Sequence, residues 1–234
     1  MQSSRLPAFR CVGTYERQAR RDGYCLVAGI DEAGRGSLFG PVFAAAVILP
    51  EDHRIRGLRD SKLVPLEERE ELERSIRQRA ICWSVSAADV FEIDRYNIYH
   101  ASRLAMKRAV QNLLPAANFL LVDAMKIDLP IPQRALIHGD ARCQAIAAAS
   151  ILAKTHRDRC LEEWDRVFPE YGLRSHKGYS TPEHRRALRT YGPTTLHRFT
   201  FDPVRSTSPP EMLPPGAAEQ TLLFPAAADE AACL

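Results

Sequence analysis

Apolar residues fall into five short runs along the chain, each bounded by turn residues or by charged stretches. The first two, 26–30 (LVAGI) and 42–49 (VFAAAVIL), have the length and continuity of buried strands. A glycine-spaced turn with Gly34, Gly36 and Gly40 separates them. Residues 80–87, 119–123 (FLLVD) and 134–138 (RALIH) predict three further strands. Between the strands the period changes. Residues 65–79 read as a helix opened by Pro65, whose dense charges make a solvated face. Ile98, Ala101, Leu104, Ala105, Ala109 and Leu113 recur at the spacing of an amphipathic helix over 98–114. Asp89, Glu92 and Asp94 before it suit the positive start of a helix rather than a ligand set. A long helix is predicted over 143–167, where the small residues of AIAAASILAK allow close approach to a sheet. A short helix is allowed over 16–21. Strands interspersed with helices imply an α/β fold, a mixed sheet flanked by helices.

Composition adds limits. Hydrophobic residues make up 45% and charged residues 26% of the 234, the balance of a soluble globular chain. No apolar run approaches the roughly 20 residues of a membrane span. The opening MQSSRLPAFR lacks the apolar centre of a signal peptide. Six cysteines are scattered without a CxxC pair, which points to reduced thiols and a cytoplasmic setting. A net charge of +3 says little by itself, but its distribution says more. Over 174–198, Arg174, Lys177, Arg185, Arg186, Arg189 and Arg198 face the single acid Glu183. Tyr179, Tyr191 and Phe199 are interleaved with them, and His176, His184 and His197 add polar reach. That is the pattern of a nucleic-acid surface. Three segments are expected: a basic one over 1–22, one catalytic domain over 23–201 ending in a small helical extension, and a disordered Pro/Ala-rich tail over 202–234.

Candidate chemistry sits where strands are expected to end. Asp31 and Glu32 follow the first strand, Asp123 closes the fourth, and Gly139-Asp140 closes the fifth. Any one of these acids has an ordinary reading as a turn residue, and 31–36 alone could be an acidic hairpin turn. Three strand ends behaving alike favour a shared rim. Carboxylates gathered there would raise each other's pKa unless divalent cations neutralised them. All-oxygen ligands favour Mg2+ or Mn2+ over zinc, and two such ions are a device for displacement at phosphorus. Gly34 and Gly36 would leave backbone N–H groups open to a phosphate. A P-loop is excluded, because Gly36 and Gly40 are not followed by Lys-Ser or Lys-Thr.

These residues carry a resemblance. GIDEAGRG (29–36) with GPV (40–42), DSK (60–62), VDA (122–124), GD (139–140), AAASILAK (147–154) with Arg157-Asp158, and HKGY (176–179) with His184 occur in an order similar to that of the ribonuclease HII, or type 2 RNase H, family. The resemblance implies an RNase H-like fold and an endoribonuclease that cuts RNA in RNA/DNA hybrids and 5′ of ribonucleotides embedded in duplex DNA. It implies metal-binding and catalytic roles for Asp31, Glu32, Asp123 and Asp140, with Asp31 between two ions, Mg2+ or Mn2+. It further implies that Gly34, Arg35 and Gly36 contact the ribose 2′-hydroxyl and adjacent phosphate, that Lys62 contacts a phosphate, and that Tyr179 packs on the following deoxyribose. Departures are modest: Ser37 stands where the family usually has proline, Phe39 where alanine is common, and Ala124-Met125 where Gly-Asn is frequent. Residues 220–224 (QTLLF) resemble a peptide that docks on the DNA sliding clamp through Gln220, Leu223 and Phe224. A monomer is expected. Two other readings stay open here, an RNase H-like DNA nuclease and a catalytically silent hybrid-binding module.

Overall fold

The computed structural model describes residues 11, 13–51, 55–59, 61 and 64–213. Five strands form one sheet in the order β3-β2-β1-β4-β5. They are β1 (Val27–Ala33), β2 (Val42–Ile48), β3 (Cys82–Ala88), β4 (Phe119–Asp123) and β5 (Gln133–Leu136). β1 runs antiparallel to β2 and parallel to β4, and β4 runs parallel to β5. The sheet is mixed, as the pattern of apolar runs implies. Its helices are α1 (Thr14–Arg21), α2 (Leu66–Arg79), α3 (Val90–Gln111), α4 (Gln144–Val167), α5 (Leu173–His176), α6 (Pro182–Tyr191) and α7 (Val204–Thr207).

The chain divides into two compact units. The first takes in Met1–Ala33, Phe43–Ala87 and Ser102–Arg157, and the second Gly34–Val42, Ala88–Ala101 and Asp158–Leu234. This division does not follow the boundaries expected at 22/23 and 201/202. Residues 14–21 belong to the first unit, where α1 buries Ala19 in the core. Residues 202–213, expected in an unstructured tail, contain α7, and Val204 is fully buried in the second unit's core.

Alternation along β1 explains the first core. Val27, Gly29 and Asp31 share one face, and their neighbours across the ladders are Val47 and Ala45 on β2 and Leu121 on β4. With Ile76 of α2 and the alanines of α4, those apolar neighbours make one buried cluster. α4 presses on this face more closely than any side chain would allow. A Cβ added to Gly29 would lie 2.1 Å from the backbone carbon of Ala145 and 2.3 Å from the Ile146 nitrogen. The start of α4 is secured by α1: the buried Glu16 carboxylate accepts from the Ala145 N–H at 2.9 Å and from the Cys143 thiol at 3.2 Å. Sequence reading assigned Glu16 no role, because its partners lie far along the chain.

α3 is broken at Asn97, whose backbone (φ 66, ψ 166) is not helical. Its side chain accepts from the N–H groups of Tyr99 and His100, so it restarts the helix where the sequence separates 89–96 from 98–114. Asp89 and Glu92 cap each other's N–H groups, as expected of helix-start acids. Asp94 does something else. It holds the backbone of Phe199 and Thr200 at 3.0 Å each within the second unit.

Gly29→Ala should destabilise the chain by at least ~1–3 kcal/mol, the usual cost of overpacking, since backbone cannot swing aside as a side chain can. A urea titration of the variant against the parent measures this.

Candidate active site

The register of the parallel pair sets the site. Ile30 lies opposite Val122, so the next residues, Asp31 and Asp123, stand side by side at the end of that ladder. β1 does not end there: Glu32 and Ala33 still pair with Ala44 and Phe43 of β2. The expectation that Asp31 and Glu32 meet at a strand terminus is therefore corrected. Both lie within β1 and alternate in face, beyond the last paired residues of β4. The Asp31 carboxylate accepts from the N–H of the next residue, Glu32, at 2.7 Å.

Asp140 also departs from its expected position. β5 stops at Leu136, His138 adopts a left-handed conformation, and Asp140 sits in a 3-10 turn over Gly139–Ala141. That turn is tied to β4, because Asp123 Oδ1 accepts from the Gly139 N–H at 2.7 Å. A Cβ on Gly139 would come 3.0 Å from the same carboxylate oxygen. It would also come 2.6 Å from Ile146 Cδ1, so a side chain here would crowd both residues. After Asp123 the chain reverses tightly, with Ala124 at φ 50, a left-handed position that a glycine would occupy at less cost.

Asp31 is 5% exposed, and burial pushes its carboxyl well above the usual carboxylate range. The charges of Glu32, Asp123 and Asp140 add to that rise, while a hydrogen bond with the Ser150 side chain opposes it. The other three predicted acids thus act on Asp31, all within the first unit. Among the described residues no three His, Cys, Asp or Glu side chains are already arranged to hold a metal ion. The four acids do fit hard divalent cations chemically, because their donors are oxygen alone and their mutual repulsion needs positive charge.

Ser150 was left out of the sequence-predicted set. Its hydroxyl lies 2.8 Å from that of Ser61, both buried. The signal was present in the DSK and AAASILAK segments, but a hydroxyl at either place is equally a packing residue. Lys62 lies outside the described residues, as do residues 220–224.

Within the second unit, residues 34–42 and 176–179 are joined by an isolated antiparallel bridge between Ser37 and Tyr179. Leu38 N–H donates to the Gly178 carbonyl at 2.8 Å. A Cβ on Gly36 would lie 3.8 Å from the Tyr179 ring, which is 41% exposed. Gly34, Arg35, Gly36 and Tyr179 are therefore neighbours. Arg198, counted in the cationic stretch, is fully buried, and its guanidinium donates to the carbonyls of Arg35 at 2.8 Å and Gly40 at 2.9 Å. His184 and His197, expected to add polar reach, are also fully buried, with pKa values pushed down by burial to about 4 and about 3. Lys177 is paired with Glu162 at 2.8 Å. Phe39 packs in the second core edge-on to His197, so this departure from the family faces inward.

The ribonuclease HII family profile matches residues 28–204. This chain belongs to the ribonuclease HII family. It is 62% identical over 200 residues to a ribonuclease HII of Solibacter usitatus (strain Ellin6076), covering 86% of this chain and 88% of the relative. The fold is similar to the ribonuclease H2 of Pyrococcus horikoshii OT3, with a TM-score of 0.67 at 25% identity over 77% of this chain and 96% of that one. It is also similar to an RNase HII of Archaeoglobus fulgidus solved in a complex with PCNA, with a TM-score of 0.64 at 26% identity, covering 74% of this chain and 93% of the relative. As a ribonuclease HII, the chain is an endoribonuclease, a phosphodiester hydrolase that acts on RNA in RNA/DNA hybrids. The family is dependent on divalent metal. Among the described residues no helix is long and apolar enough to cross a membrane.

A raised folded-state pKa for Asp31 means the native state holds a proton that the unfolded chain has released, so this group's contribution to stability falls as pH rises above about 4. Asp31→Asn removes that component. Without divalent ions the variant should melt ~2–4 °C higher at neutral pH, the shift produced by about 1 kcal/mol in a chain of this size. Its melting point should also depend less on pH between 4 and 7. Scanning calorimetry across that range reads both, and an unchanged melting point would contradict the electrostatic account.

Proposed function

We propose that this ribonuclease HII reads the junction from ribonucleotide to deoxyribonucleotide. In this reading it cuts on the 5′ side of ribonucleotides embedded in duplex DNA as well as in longer hybrids, leaving 3′-hydroxyl and 5′-phosphate ends. The observation that carries the reading is the bridge between Ser37 and Tyr179, which sets Gly36 beside an exposed tyrosine ring. Gly34, Arg35 and Gly36 would meet the ribose 2′-hydroxyl, the group that separates RNA from DNA at a single nucleotide. Tyr179 would pack on the next sugar, where a 2′-hydroxyl would crowd the ring. Gly34 follows Glu32 by only two residues, so the segment that recognises the ribose is tethered to the acids that act on its phosphate.

Asp31, Glu32, Asp123 and Asp140 would hold two ions, Mg2+ or Mn2+, with Asp31 central because it feels the other three acids. When bound, such ions supply positive charge to the attacking and leaving oxygens at phosphorus. The protein's share is to fix the carboxylates: the Ser150 side chain and the Glu32 N–H hold Asp31, and the Gly139 N–H holds Asp123. Lys62 would add a phosphate contact. A monomer suffices, since every acid comes from one chain. Residence in the cytoplasm suits Cys11, Cys25, Cys82, Cys143 and Cys160, none of which is joined in a disulfide.

The reading separates from a DNA nuclease in one assay. Duplexes with a single ribonucleotide should be cut at that nucleotide, and all-DNA duplexes left intact. Asp123→Asn should lower cleavage by at least ~100-fold, the scale of losing a positioned charge at a reacting centre, while binding of the duplex is retained. Cleavage of all-DNA duplex at a similar rate would overturn the proposal.

Residues 220–224 give the chain a second proposed contact. Gln220, Leu223 and Phe224 would dock as a short apolar anchor in a groove of the sliding clamp. The Archaeoglobus fulgidus relative's complex with PCNA lends support to partner docking among similar folds. Removing residues 216–234 should weaken clamp binding at least ~10-fold in surface plasmon resonance, as expected for loss of an anchor residue worth more than 1.4 kcal/mol. Cleavage of a free duplex should be unaffected.

A further inference from the structure

Three imidazoles lie behind Tyr179, and their protons can be assigned from their partners. His184 Nδ1 lies 3.0 Å from the Tyr179 carbonyl, which can only accept. A neutral ring therefore carries its hydrogen on Nδ1 and a lone pair on Nε2. That Nε2 lies 3.2 Å from His197 Nε2, so His197 must donate from Nε2 and keep its own lone pair on Nδ1. The last step agrees, since His197 Nδ1 accepts from the Thr194 N–H at 2.9 Å. Both rings are fully buried, and burial keeps them neutral. The result is a one-way relay, Thr194 to His197 to His184 to the Tyr179 carbonyl.

The preceding peptide is held as well. His176 stacks on His184 with ring centres 4.5 Å apart, accepts from the Gly178 N–H at 3.2 Å and donates to the Tyr171 carbonyl at 2.7 Å. Gly178 has no room for a side chain, because a Cβ there would lie 2.5 Å from Ser37 Oγ. The tyrosine's ring stays exposed while its backbone is held from behind by these imidazoles.

We propose that His184, supported by His197, is a positioning residue for Tyr179, and that this imidazole pair sets how sharply the enzyme distinguishes deoxyribose from ribose on the 3′ side of the ribonucleotide. This rests on the reading of Tyr179 given above. The two histidines touch neither substrate nor the acids in this role. They act only through the placement of one carbonyl.

The test uses two amide variants of the whole chain. Asn places its amide N–H where His has Nδ1, so His184→Asn keeps the donor to the Tyr179 carbonyl. Gln places it nearer Nε2, so His184→Gln loses that donor while still reaching toward His197. The readout is the ratio of kcat/KM on a duplex with one ribonucleotide to that on a uniform RNA/DNA hybrid, both with Mg2+. His184→Gln should lower the ratio up to about tenfold, the worth of one hydrogen bond, chiefly through KM. His184→Asn should keep it within about twofold of the parent. Combining His184→Gln with Tyr179→Ala should lower the ratio no further than Tyr179→Ala alone.

If Tyr179→Ala leaves the ratio unchanged, the reading of Tyr179 fails and this inference with it. If Tyr179→Ala lowers it but His184→Gln does not, or His184→Asn lowers it equally, the inference alone is overturned. Nitrogen-15 NMR of the parent protein gives a check that needs no variant. It should find the hydrogen on Nδ1 of His184 and on Nε2 of His197, and either opposite tautomer overturns the relay.

Discussion

Crowded negative charge is the constraint around which the first unit is built. Asp31 is buried at the end of a parallel ladder with three other acids acting on it, an arrangement that opposes folding. The surroundings offset the repulsion only in part, through the Ser150 side chain and the main-chain N–H groups of Glu32 and Gly139. They fix where the carboxylates point without neutralising them. A protein that keeps such a cluster gives up stability for a function that needs it, and in the proposed reading that function is the binding of hard cations beside a phosphate. The tight seat of α4 on Gly29 belongs to the same design, because that helix carries Ser150.

The second unit is organised on the opposite principle. A count of arginines, lysines and histidines over 174–198 suggests a strongly positive surface. Several of those groups are turned inward instead. Arg198 clamps the carbonyls of Arg35 and Gly40, Lys177 pairs with Glu162, and His184 and His197 are neutral and buried. In the proposed reading, what this unit offers a nucleic acid is a hydrogen-bonded pair of backbone segments with Arg35 and Tyr179 on them, beside the exposed Arg174, Arg185, Arg186 and Arg189. Phosphate attraction contributes to affinity in any such protein, but recognition of a sugar needs fixed geometry.

Much of this was legible in the sequence, for identifiable reasons. Strands β1, β2 and β4 announce themselves as apolar runs, and α3 and α4 by their helical period. The four acids stand out because they interrupt or close those runs. What could not be read is contact between residues distant in the chain. Glu16 caps α4 from 129 positions away, and Asp94 holds Phe199 from 105. Both look like solvated helix acids until the chain is folded. His184 and His197 look like polar members of a basic stretch, because burial is a property of the fold rather than of local composition. Asp140 is expected directly at a strand end because RALIH reads as a strand, whereas β5 stops at Leu136 and a left-handed His138 leads into a 3-10 turn that carries Asp140.

α1 gives the domain limits a different meaning. The family match begins at residue 28, yet the cap on α4 is Glu16, and Ala19 is part of the same core as Val27. A recombinant fragment trimmed to the matched interval would leave the first backbone amides of the helix that seats Ser150 without their carboxylate. The family match marks out one interval of the chain, while the packing of the first unit's core begins further upstream.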